Sequence, residues 1–138
     1  MAGAGKYKMK KLLLALTLIL ISTHTMAEWT TIAESDDDGG YVVYADKDTA
    51  RKSGDRVRMW ILLDYKTEQK ASGVNFLSKT IRRDYDCKGE HLRTLAFKLF
   101  SWNMEQGRLV RSYNQPRNWE VVQPESMDET VWKAACNL

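Results

Sequence analysis

The stretch Arg56-Val57-Arg58-Met59-Trp60-Ile61-Leu62-Leu63-Asp64-Tyr65 decides the fold. Val57, Met59, Ile61, Leu63 and Tyr65 fall on one face at period two, and Arg58, Trp60, Leu62 and Asp64 fall on the other. Successive side chains of a β-strand leave the backbone on opposite sides, so this alternation predicts a strand. Both faces are apolar in the middle, which predicts a central strand covered on each side.

Further strands extend in both directions. Upstream, Trp29 to Ala33 alternates weakly, and Tyr41-Val42-Val43-Tyr44 has the β-branched and aromatic composition that suits strands. Ser35-Asp36-Asp37-Asp38-Gly39-Gly40 and Ser53-Gly54-Asp55 read as reversals. Downstream, Glu68 to Gly73 reads as a polar loop. Asn75 to Cys87 and Leu92 to Trp102 are extended runs joined through Lys88-Gly89-Glu90. Ile81, Arg83, Tyr85 and Cys87 share one face of the first run, and Leu95, Phe97 and Leu99 share one face of the second. Leu109 to Tyr113 and Asn118 to Val122 give shorter strands, ended by Pro116 and Pro124.

The chain then changes character. Ser126-Met127-Asp128-Glu129 fits the capping box, and its acids suit the positive end of a helix. Val131, Trp132, Ala135 and Cys136 follow on one helical face, with Thr130, Lys133 and Asn137 opposite. The fold class expected is α+β, mostly β: an antiparallel sheet with a C-terminal helix across one face.

Residues 1–27 have a different purpose. Lys6, Lys8, Lys10 and Lys11 precede an apolar run from Leu12 to Ile21, then small and polar residues up to Ala27. This is the order of a secretory signal peptide. The run is too short to span a bilayer, which needs about 20 residues. Cleavage is expected after Ala27, leaving residues 28–138 as a single domain without membrane insertion. Four of the 21 basic residues and none of the 18 acidic ones lie in 1–27, so the mature chain carries 17 basic against 18 acidic. The overall +3 belongs to the signal, and bulk charge gives no reason to invoke nucleic acid.

Two cysteines, Cys87 and Cys136, remain. In an exported chain such a pair reads as one disulfide, the alternative being two buried thiols.

Several pieces together resemble the surface-adhesin protein E family. They are Asp84-Tyr85-Asp86-Cys87, Ser101-Trp102-Asn103-Met104-Glu105-Gln106-Gly107, Pro124-Glu125-Ser126 and Val131-Trp132-Lys133-Ala134-Ala135-Cys136. Trp119 with Val122, Tyr44-Ala45-Asp46, Arg51 and Val57-Arg58-Met59-Trp60 extend the match upstream and between. The resemblance implies about six antiparallel strands with the helix held by the disulfide. It also implies adhesion to host matrix or serum proteins such as vitronectin, laminin and plasminogen, and a homodimer. The matching partner-binding stretch is basic: Lys79, Arg82 and Arg83, with Lys88 and Arg93 beyond the cysteine. One departure is the absence of a lipidation cysteine at the signal junction, which leaves periplasmic, secreted and surface locations open. A periplasmic structural or assembly factor that binds another envelope component is the alternative function.

Other candidates carry plainer readings. Adjacent Arg82 and Arg83 point to opposite strand faces. They read first as solvated charges with cross-strand ion pairs, and second as a contact for an acidic partner. Asp36-Asp37-Asp38-Gly39 reads as a turn, because a calcium loop needs alternating ligands and a distal Glu where Lys47 stands. His91 is the mature chain's one histidine, too few for zinc or a triad once both cysteines are paired. Asp84 and Asp86 share a strand face, the kind of pairing that acid–base hydrolysis uses, but with no predicted cleft they read first as hairpin surface charges. No catalytic residue, metal or cofactor is expected. The five tryptophans, Trp29, Trp60, Trp102, Trp119 and Trp132, are expected to fill the core, one or two of them alternatively forming an exposed platform.

Overall fold

The computed structural model describes residues 28–138. The signal peptide read at 1–27 and its cleavage after Ala27 lie outside the described residues. The described chain runs β1 (Thr30–Ser35), β2 (Tyr41–Ser53), β3 (Arg56–Ala71), β4 (Val74–Asp86), β5 (His91–Phe100), β6 (Leu109–Tyr113), β7 (Glu120–Val121) and α1 (Met127–Cys136). Six strands lie side by side in chain order, each antiparallel to the next. The two-residue β7 pairs with the start of β5, on residues that β6 leaves free. Among the described residues no helix is long and apolar enough to cross a membrane.

β3 occupies the interior position between β2 and β4. Val57, Met59 and Ile61 are buried on one of its faces and Leu62 on the other, as the alternation predicts. The strand is longer than its apolar part. It continues through the polar segment to Ala71 and returns at Val74 through Ser72 and Gly73, both at positive φ (48° and 80°). Two consecutive left-handed residues match the twist of a tight hairpin. The polar loop expected over Glu68 to Gly73 is therefore the end of a paired ribbon. Gln69 to Ala71 pair with Val74 to Phe76, but most side chains there are exposed, so no apolar alternation marks the strand. β2 likewise runs far past Tyr44, with a bulge between Asp46 and Arg51 absorbing extra residues.

The main core lies between the sheet and α1. Val43, Ala45, Val57, Met59, Ile61, Ile81 and Tyr85 meet Val131 and Ala135 there. Ser126 caps α1, its hydroxyl accepting from the Glu129 N–H at 3.1 Å. The reciprocal half of the expected box does not form, since the Glu129 side chain accepts from Lys133 at 3.2 Å instead. Three further ties hold the helix down. Cys136 is bonded to Cys87, the Trp132 indole donates to the Asp86 carbonyl at 2.9 Å, and Arg83 donates to Asp128 at 3.0 Å.

The tryptophans do not fill this core. Trp29, Trp60, Trp119 and Trp132 are half-buried and Trp102 is 62% exposed. An indole carries an N–H that needs a partner when it is covered, and Trp132 finds one at the margin of the helix. Aliphatic side chains and tyrosines fill the interior instead.

The disulfide closes a loop of 49 residues, whose chain entropy corresponds to about 4 kcal/mol. Replacing both cysteines (Cys87→Ser with Cys136→Ser) is therefore expected to remove up to about that much stability in denaturant unfolding. A change well under 1 kcal/mol would mean that packing and the Arg83 and Trp132 ties alone hold the helix.

Candidate functional site

With α1 on one face, the functional question passes to the other. One half of that opposite face is covered by the loop after β5. Ser78 donates to the Trp102 carbonyl at 2.7 Å and accepts from the Glu105 N–H at 3.0 Å. Asp64 accepts from Asn103 and from the Met104 N–H at 3.1 and 2.8 Å. These bonds hold Met104 and Glu105 at positive φ, a conformation that non-glycine residues seldom take. Beyond the loop the face is open.

Register then determines what lies exposed. Arg51 of β2 pairs with Arg58 of β3, Arg58 with Asp84 of β4, and Asp84 with Arg93 of β5. These four side chains make a single row across the sheet. Next to it, Trp60 pairs with Arg82 on one side, and Arg56 pairs with Ser53 on the other. The face thus gathers five arginines around Asp84. Asp84 is held by two of them, Arg58 Nε to Oδ1 at 2.8 Å and Arg93 Nη2 to Oδ2 at 2.9 Å. Burial alone would raise the Asp84 pKa, but the hydrogen bonds and charges of Arg58 and Arg93 outweigh it and hold the carboxyl below its usual range. Trp119, from the segment before β7, lies between Arg93 and Arg56, whose guanidinium carbons are 4.7 and 5.0 Å from the ring centre.

Three depressions follow one another along this face. One is lined by Thr49, Trp60, Arg51 and Arg82, the next by Arg51, Ser53, Arg56, Arg58 and Arg82 around Asp84, the third by Ser53, Asp55, Arg56, Asp86 and Lys88. The middle one is an open cleft of about 310 Å³. Shared lining residues make them one groove.

The basic stretch read from the sequence is divided between the two faces. Arg82 and Arg93 lie on the open face, and Lys88 sits at the turn that closes one end of the groove. Arg83 points under α1 to Asp128, and Lys79 lies on the same side as Arg83, 4.9 Å from the Phe97 ring centre. Burial, with Arg83 and Arg117 nearby, lowers the Lys79 pKa. Arg51, Arg56 and Arg58 join the site without having been read as contact residues, although Arg51 and Arg58 belong to the pieces that carry the family resemblance. The available signal was their spacing on the reverse face of β2 and β3.

The remaining candidates are accounted for by local structure. Asp37–Gly39 form a 3-10 turn, in which the Asp37 N–H donates to Ser35 Oγ at 3.1 Å. Asp86 accepts from the Lys88 and Gly89 N–H groups, so it shapes a turn while Asp84 is bound by arginines. His91 is half-buried opposite Asp86 and Val121. Among the described residues no three His, Cys, Asp or Glu side chains group as a metal site would need.

Asp84→Asn leaves two arginines without their carboxylate. It is expected to cost about 2 kcal/mol, less than a fully buried pair because Arg58 is 44% exposed. Because the folded carboxyl titrates below its unfolded value, its stabilisation is present above a pH of roughly 4 and lost as pH falls through the lower folded value. Denaturant midpoints measured from neutral pH downward should therefore fall less in Asp84→Asn than in the wild type. Parallel acid limbs would contradict this account of Asp84.

Comparisons with known proteins agree on the fold. A search of curated proteins by sequence gave no match. Protein E of Haemophilus influenzae superposes with a TM-score of 0.60 at 11% identity, over 83% of this chain and 88% of that one. Protein E of non-typeable Haemophilus influenzae gives 0.59 at 11% identity, over 83% and 79%. A second crystal form of the Haemophilus influenzae protein gives 0.58 at 12% identity, over 69% and 80%. The sequence model of surface-adhesin protein E matches residues 29–137, nearly the whole described chain. By that match, the chain belongs to the surface-adhesin protein E family.

Proposed function

We propose that the mature chain is a non-catalytic binding domain of the bacterial envelope that holds a protein partner through the open face of its sheet. The observation that carries this reading is the arginine groove. A sheet face left bare by α1 displays Arg51, Arg56, Arg58 and Arg82 around one buried carboxylate, within a family of surface adhesins. Arginine is favoured at contact surfaces because its planar fork makes paired hydrogen bonds and stacks on aromatic rings. Host matrix or serum proteins are the partners that family membership supports. Among the described residues the outer edges of β1 and β6 are unpaired, and such an edge provides a route to a homodimer.

Protease treatment of intact cells, compared with permeabilised ones, tests location. Digestion on intact cells is the expected result, and protection until permeabilisation would instead favour an assembly factor of the periplasm. Binding of the purified domain to immobilised matrix and serum proteins tests the surface. Arg82→Glu should weaken that binding without changing thermal stability, since Arg82 makes no ion pair among the described residues. Arg83→Glu is unsuitable, because it would place two acids together under α1. Unchanged binding in Arg82→Glu would remove the open face from the proposal.

A further inference from the structure

The arginines of the open face are arranged in a way that the fold alone does not explain. Arg51 stands directly across from Arg58 on the neighbouring strand. Like charges opposite one another are unfavourable in a sheet. Asp84 relieves Arg58 and Arg93 only. Among the described residues Arg51, Arg56 and Arg82 have no carboxylate within ion-pair distance. Arg51 donates to the carbonyls of Asp48 and Ala50, and Arg56 rests on Trp119. Asp46, another acid of this face, is buried one row away opposite Trp60. The part of the groove around Arg51, Arg58 and Arg82 therefore keeps a positive excess over Asp84 that an incoming anion would relieve.

Taking the open face as the contact surface proposed above, we infer that the groove recognises an acidic polypeptide segment whose carboxylates alternate with neutral residues. Asp84 shows how this face holds a carboxylate. Arg58 reaches both of its oxygens, at 2.8 and 3.3 Å, and Arg93 donates twice to one of them, at 3.0 and 2.9 Å. Such paired N–H donors suit planar carboxylates. Arg51 with Arg82 offers a second position of the same kind, whereas at the Lys88 end Asp55 and Asp86 balance Arg56 and Lys88. Asp84 lies beside that second position and Asp86 beyond it, so a ligand with charge at every step would set negative groups against them. A peptide can place a neutral residue there, and its backbone or side chain can rest on half-buried Trp60. The middle cleft, about 310 Å³, has room for one or two side chains.

The experiment is calorimetric titration of the mature domain with a synthetic peptide of alternating glutamate and serine, and with its glutamine counterpart. The glutamate peptide should bind, weaken as salt rises, and lose about tenfold or more in affinity with Arg51→Glu and Arg82→Glu together. The glutamine peptide should not bind. Arg51→Gln with Arg82→Gln should give a smaller loss in the same direction, which guards against misfolding of the reversal variant. Lys70→Glu, on the projecting ribbon, should leave affinity unchanged. No binding of the glutamate peptide, or binding indifferent to Arg51 and Arg82, overturns the inference. So does binding of a heparin-derived oligosaccharide through these arginines while the peptide is ignored. If the double variant loses adhesion to matrix proteins but the wild type ignores the peptide, the acidic-segment inference fails and the open face stands. If the double variant adheres like the wild type, the open face itself is wrong.

Discussion

A sheet of six strands has two faces, and the described residues supply a single ten-residue α-helix with which to cover one of them. That imbalance governs the rest of the molecule. Val131 and Ala135 close the apolar face, and the bond to Cys87, the Trp132 hydrogen bond and the Arg83–Asp128 pair keep the helix from leaving it. The other face has to survive contact with water over half its length. It does so with guanidinium groups, which remain hydrated, make in-plane hydrogen bonds and stack on Trp119. Structural need and binding capacity thus arise from the same geometric shortage.

Asp84 connects the two. Placed one residue from Arg83, it points away from the helix while Arg83 points beneath it. Adjacent residues of one strand therefore do opposite jobs. Arg83 supports the closed side and Asp84 fixes the open one. The pleat makes this unavoidable, and it is why a stretch contiguous in sequence is not a patch in space.

Much of the fold was legible in the residues. The apolar alternation of Val57 to Tyr65 placed β3 at the centre, and the Ser126 cap with the Val131-Trp132-Ala135-Cys136 stripe placed the helix and its inward face. What escaped notice lacked an apolar signal. The ribbon near Ser72 is polar on both sides, and the length of β2 past Tyr44 depends on pairing across a bulge. The candidate surface was half legible. Arg82 and Arg93 lay in the stretch that the family resemblance singled out; Arg82 lines the groove and Arg93 holds its Asp84. Arg51, Arg56 and Arg58 became neighbours of Asp84 only through the register of three strand pairings, which no single segment encodes. The tryptophans misled because hydrophobic bulk was read as burial, whereas a ring with an N–H settles at margins where a partner or solvent is near.

The chain-order arrangement of the strands bears on how the molecule is assembled. Each strand pairs with its predecessor, so the sheet can grow hairpin by hairpin as the polypeptide appears, without waiting for distant sequence. Cys87 directly follows β4 and takes its place beside that growing sheet well before Cys136 exists to meet it. With no third thiol in the chain, the waiting sulfur has no wrong intramolecular partner. Oxidation is then a single terminal event that needs an electron acceptor but no isomerase to reshuffle mistakes.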